Sequence, residues 1–202
     1  MTKKQRMLDK GLAKSVVNGD HASAAAFLQK GGNPNLVVQG NDGVSPLLVQ
    51  VMLSTPSLLA SFIQHGALAD VTDQSGVTPL HLAMETEQVR LLLAAGANPM
   101  ARTADGETPL HVVPTREGAE LLVAAGADPG AMCRQGRLPW QALSLMAGNM
   151  QRGGAKASRT AGIEAASGWL RALVEGGLLQ EATRPVAMAP EEEAQRMQRG
   201  RF

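Results

Sequence analysis

The sequence predicts an all-α solenoid of about five stacked helix-turn-helix units with projecting β-turn or hairpin connectors. Three observations lead there. First, the chain repeats itself: GVSPLLVQV from Gly43, GVTPLHLAM from Gly76, GETPLHVVP from Gly106 and GRLPWQALS from Gly136 align, with leading glycines 33, 30 and 30 residues apart. Second, another marker recurs out of phase with the first. It reads GGNPN at Gly31, HGALAD at His65, AGANPM at Ala95 and AGADPG at Ala125. Ten residues separate Gly66 from Gly76, Gly96 from Gly106 and Gly126 from Gly136, and eleven separate Gly32 from Gly43. Connectors so constant in length imply one repeated geometry. Third, 44% of the residues are hydrophobic but only 2% aromatic, with no Tyr, so the core is built from Leu, Val, Ala and Met. That palette suits packed helices better than a β-sandwich.

The elements follow in order. Residues 4–40 hold two helical runs split by Asn18-Gly19-Asp20 and read as an N-terminal cap. Units at 41–72, 73–102 and 103–132 come next, and a fifth unit at 133–180 closes a single domain over residues 1–180. Within a unit, Thr78 and Thr108 can cap a short first helix of about two turns. Pro79 and Pro109 then fall at the first helical position, where a missing N–H costs nothing. A second helix follows, as in Gln88–Ala95, and Gly96 ends it in the left-handed position. The 30-residue units lack three residues between their helices, and Pro114 ends its helix early. One unit cannot bury its own apolar face, but stacked units can.

Thr78-Pro79-Leu80-His81 and Thr108-Pro109-Leu110-His111, with the Leu-Leu-Leu-Ala-Ala-Gly-Ala-Asn run from Leu91, resemble the ankyrin-repeat signature. The resemblance covers roughly residues 8–146 plus a last helix near 168–177, and is to small stand-alone bacterial ankyrin proteins. It implies that His81 and His111 are scaffold residues that hydrogen-bond the backbone of the neighbouring turn. The flanking copies drift: Ser45-Pro46-Leu47-Leu48 lacks the histidine, and Leu138-Pro139-Trp140-Gln141 lacks both threonine and histidine.

The fifth unit carries an insert, residues 147–164, reading AGNMQRGGAKASRTAGIE. Its Gly/Ala/Ser content reads as flexible, either a surface excursion or a binding loop. Trp140 and Trp169 flank it and are expected to meet beneath it in the core. Residues 181–202, with Pro185, Pro190 and Glu191–Glu193, lack an apolar stripe and read as a disordered tail. Met84, Met100, Met132 and Met146 fill gaps or lend adaptability to a contact surface, and Met84 is assigned to gap-filling inside a helix.

No chemistry of catalysis stands out. His21 and His65 have no partner at ligand spacing. Cys133 has no base and reads as an exposed or half-buried thiol at a turn tip. A single cysteine excludes a disulfide framework. Gly148-Asn149-Met150-Gln151-Arg152-Gly153 would need Lys at 154 to be a phosphate loop, and the residue there is Gly154. The expectation is a non-enzyme without cofactor or metal. Nineteen basic against eighteen acidic residues give +1, too little for a phosphate-neutralising nucleic-acid binder. A nucleic-acid or enzymatic role for the insert would rest on Arg152, Lys156 and Arg159, too few and without interleaved aromatics. No secretory signal and no membrane span are visible, so a cytoplasmic protein, monomeric when free, is expected.

What remains is surface. Residues 1–42 carry +3, residues 43–146 carry −4 and residues 147–202 carry +2. This is either ordinary solvation or a partner surface with an acidic middle and a basic C-terminal edge. The resemblance implies protein binding along a concave face of connector tips and first helices. Its register places there Asn41, Asp42, Val44 and Met52, then Thr72, Gln74, Ser75, Val77 and Glu85. Arg102, Asp105 and Glu107 follow, and then Met132, Arg134, Arg137 and Leu145. The expected function is a non-catalytic adaptor or scaffold. The alternative is a stoichiometric inhibitor or immunity-type protein that neutralises a toxin or enzyme.

Overall fold

The computed structural model describes residues 2–40, 43–52, 55–155 and 157–176, with 39, 40, 43–45, 158 and 159 described by their backbone alone. The tail expected at 181–202 lies outside the described residues, as do Asn41 and Asp42. Helical elements follow one another in pairs. Helix α1 (Lys3–Val17) pairs with α2 (His21–Gln29), and α3 (Leu47–Val51) with α4 (Pro56–Gln64). The 3-10 turn Pro79–Leu82 precedes α5 (Thr86–Ala94), and the 3-10 turn Pro109–His111 precedes α6 (Arg116–Ala124). Helix α7 (Pro139–Arg152) pairs with α8 (Ala157–Glu175).

The first members stack in one layer, from α1 through α3 and the two 3-10 turns to α7. The second members stack in another, from α2 through α4, α5 and α6 to α8. Between the layers runs one continuous core. Leu12, Leu28, Leu59, Leu92, Leu110, Leu122, Leu143 and Leu170 occupy it with essentially no exposure. Each leucine removed from water in this way stabilises the stack by about 1.5–3 kcal/mol.

The local chemistry agrees with the stacking. Thr2, Asp20 and Thr115 accept backbone N–H bonds from Gln5, Ser23 and Gly118 at the starts of α1, α2 and α6. The bonds from Ser23 hold the Asp20 carboxyl below its ordinary value. Helices α2, α4, α5 and α6 end alike, on Gly31, Gly66, Gly96 and Gly126 at φ 91°, 84°, 86° and 99°. In each, the following N–H returns to a carbonyl one turn back, as Ala97 does to Leu92 at 3.0 Å. Gly31, not Gly32, is therefore the register glycine of the first connector. That connector is two residues longer than the others, and it alone, among the described residues, forms a β-ladder: β1 (Val37–Gly40) pairs antiparallel with β2 (Gly43–Pro46), Val37 opposite Pro46.

Three expectations are corrected. The first helices of units three and four are single 3-10 turns, not two turns of α-helix. Pro114 has no N–H to extend its helix, and the last helical bond runs from Val113 N to Pro109 O. Met84 consequently lies between helical elements, 64% exposed, and fills no gap. The stretch 147–164 is no loop: its first six residues extend α7 and residues 157–164 begin α8, with the break at Gly153-Gly154. Thr160 and Ile163 are buried. A Cβ at Gly162 would come within 2.7 Å of the Pro114 carbonyl, so small residues there serve close helix approach. Trp140 and Trp169 both pack against the core, with the Arg171 guanidinium 5.1 Å over the Trp140 ring.

Candidate partner-binding surface

Each of the last three connectors is closed at its base by a backbone bond: Asp73 N to Val77 O at 3.1 Å, Thr103 N to Glu107 O at 3.0 Å and Cys133 N to Arg137 O at 3.0 Å. The side chains at this slot help to different degrees. Asp73 Oδ1 accepts from Ser75 N and Val77 N, and Thr103 Oγ1 accepts from Glu107 N. Cys133 offers only a long thiol contact to Gln135, 3.8 Å. It is 5% exposed, so the expected exposed or half-buried thiol is corrected to a buried one, in a slot where the other connectors place a turn-closing polar group.

Adjacent tips are then laddered together. Ala104 N donates to Ser75 O at 2.7 Å and Arg134 N to Asp105 O at 2.8 Å. Arg102 Nη1 donates to the Gly106 and Met132 carbonyls, both at 2.9 Å. Gly106 has φ 75°, and a Cβ there would meet Arg134 N at 3.2 Å, whereas Gly136, at φ 71°, has nothing within 4 Å. Gly136→Ala should therefore cost only the left-handed penalty of about 1–2 kcal/mol. Gly106→Ala should cost measurably more in urea unfolding. Equal losses would mean that the tips are not stacked.

The two TPLH histidines are the interior rivets of this ladder. Thr78 N donates to His81 Nδ1 at 3.2 Å, leaving the proton on Nε2, which donates to Glu107 O at 3.0 Å. Thr108 and His111 repeat the pattern at 3.1 Å, with Arg137 O as acceptor at 3.2 Å. Burial is the main cause that lowers both histidines below their ordinary value. Gln141 takes the same slot in the first turn of α7, its Oε1 accepting Leu138 N at 2.9 Å.

The residues expected at a partner surface divide accordingly. Thr72, Gln74, Ser75, Glu85, Asp105, Met132, Arg134 and Leu145 are exposed, as is Arg102, whose head is nonetheless held by the two carbonyls. Val77, Glu107 and Arg137 are half-buried. Met52 is a correction: it is 2% exposed in the core at the end of α3, and only its carbonyl is used, by Gln88 Nε2 at 3.3 Å. Asn41 and Asp42 lie outside the described residues, and Val44 is described only as a β2 backbone position opposite Gln39.

Glu107, Arg137 and Leu145 come together in a groove of about 270 Å3 between the second 3-10 turn and α7. Asn149 and Met150 complete it. Sequence reading missed these two because it assigned them to a loop. The usable signal was the helix formers Met146, Ala147, Met150, Gln151 and Arg152, which continue the α7 pattern past the weaker Gly148-Asn149. Among the described residues no group of three His, Cys, Asp or Glu side chains could hold a metal, and no helix is long and apolar enough to cross a membrane.

Stacked helix pairs, left-handed glycines at matching helix ends and laddered tips define an α-solenoid of repeats. The family model for ankyrin repeats matches three copies over residues 47–133. Residues 47–133 are thus similar to ankyrin repeats, and such repeats generally mediate protein–protein contacts and are typically non-catalytic. No curated protein matches the chain.

Proposed function

We propose that the protein is a non-catalytic interaction module, an adaptor or scaffold, that binds a partner protein along the connector tips and first-helix layer of a five-unit array. The laddering of the tips supports this reading most. Backbone bonds from the Ala104 N–H to the Ser75 carbonyl and from the Arg134 N–H to the Asp105 carbonyl hold exposed side chains of successive units in fixed relation. A surface that is ordered before contact loses little entropy on binding. The basic edge at Arg134 and Arg137, beside exposed Met132 and Leu145, suits a partner segment with carboxylates next to apolar anchors.

The test is affinity capture from native lysate, wild type against Arg134→Glu/Arg137→Glu. The pair should weaken the captured interaction about ten-fold or more, and Arg134→Glu alone, at the exposed position, should change stability by about 0.5 kcal/mol or less. One stoichiometric partner whose activity is blocked would favour the inhibitor or immunity reading. Several partners with activity intact would favour an adaptor. Unchanged capture with a large fall in stability would remove the surface from consideration.

A further inference from the structure

At the N-terminal end of the array lies a second, different surface. A recess of about 570 Å3 opens between α1 and α2. Its lining is almost wholly apolar, formed by Met7, Leu8 and Phe27, with Lys3, Lys4 and Lys30 around it. Met7 is 68% exposed. The recess therefore has an apolar floor beneath a ring of lysines. The floor is built, not accidental. Phe27 lies across Gly11, where a Cβ would come within 2.4 Å of the ring, so α1 and α2 approach closely at the base.

Charge identifies the occupant. None of the three lysines is ion-paired among the described residues; the ion pairs there all use arginines in α5, α6 and α8. Between residues 3 and 30 six basic side chains face only Asp9 and Asp20. Asp9 is buried, accepting from Gln5 Nε2 and Asn33 N, and Asp20 caps α2, so neither neutralises the rim. Lys3 and Lys4 also sit in the first turn of α1, where the helix dipole favours carboxylates. Their charge works against the helix and adds to the positive field of its N-terminus.

We propose that this recess docks an acidic amphipathic segment of a partner protein, with bulky apolar side chains in the recess and flanking Asp or Glu on the lysines. A recess favours a protein segment over a bilayer, because membrane binding scales with apolar surface that can be sunk into the interface and most of this surface lines a hollow. The site is separate from the connector tips, so either reading can fail alone.

Fluorescence anisotropy on the full chain tests it, with a labelled peptide of repeating Glu-Glu-Leu-Leu blocks as probe. The probe should bind, while the Lys-Lys-Leu-Leu and Glu-Glu-Ser-Ser peptides should not. Lys3→Glu/Lys4→Glu/Lys30→Glu and, separately, Met7→Asp should each weaken binding about ten-fold or more. Arg134→Glu/Arg137→Glu should leave it unchanged. The Lys3 and Lys4 reversals suit the first turn of α1, whereas Lys30→Glu opposes the dipole at the C-terminal end of α2, so the triple variant should melt close to wild type, and its melting curve, measured alongside, separates loss of binding from unfolding. Equal binding by the triple variant, or by the Lys peptide, would overturn the proposal. So would co-sedimentation with phosphatidylserine vesicles in the absence of peptide binding, which would assign the recess to a membrane.

Discussion

Leu92→Ala should lower unfolding stability by about 3 kcal/mol, within the 2–5 kcal/mol range of buried leucine truncations. Leu92 has no exposure and lies in the last turn of α5, and α5 is packed between α4 and α6 at the centre of the array. The cavity therefore damages two interfaces between units as well as one helix. In a linear array, stability is a sum of unit and nearest-neighbour terms. A weakened centre should let the two ends unfold separately. Both tryptophans lie in the last helix pair, so indole fluorescence reports α7 and α8 while circular dichroism at 222 nm reports every helix. Wild type should give coincident urea transitions, and Leu92→Ala should separate them. The surface control Leu68→Ala, at 62% exposure, should change stability by about 0.5 kcal/mol or less. A Leu92→Ala loss under about 1 kcal/mol would show that α5 does not hold the centre of the core.

The parts legible in the sequence were those in which one residue type has one geometric use. The glycines that close α4, α5 and α6 and the Thr-Pro-Leu-His turns follow from backbone constraints that recur at fixed spacing, and their structural roles are as read. The stretch 147–164 failed because composition is ambiguous between flexibility and close packing: Ala147, Thr160 and Ile163 are buried, and Gly162 abuts Pro114. Met52 and Met84 failed together, and for one reason. Register was carried over between units whose first elements differ, an α-helix in one and a 3-10 turn in the next. A 3-10 turn has 3.0 residues per turn rather than 3.6, so equivalent positions rotate from the core to the surface. The basic rim around Met7 was visible only as net charge, because which lysines encircle a recess depends on the α1–α2 approach at Gly11.

Stability should fall as pH drops below about 6.5, and His81 and His111 should be the cause. Both are buried, at 8% and 2% exposure. Protonation would put a proton on Nδ1, which now accepts from the Thr78 or Thr108 N–H. Burial is the largest influence on each; at His111 the backbone bonds to Arg137 and Thr108 partly oppose it while the Arg102 and Arg137 charges add to it, and at His81 Glu107 and Asp73 partly oppose the shift. The folded-state values therefore lie below the ordinary 6.5. Under 6.5 the unfolded chain takes up protons that the folded chain refuses. The contribution is thus fully present above that pH and is lost as pH falls toward the folded-state values, by up to about 1.4 kcal/mol per pH unit for each histidine. Gln141 supplies the control, since it fills the same slot without titrating. His81→Gln/His111→Gln should keep the cap and lose the two Nε2–carbonyl bonds. That costs about 1 kcal/mol each at pH 7.5, and the profile between pH 7.5 and 5.5 should become much flatter. Urea unfolding across that interval decides it. If the double variant kept the wild-type slope, the acid sensitivity would belong to other groups and the histidines would be pH-indifferent struts.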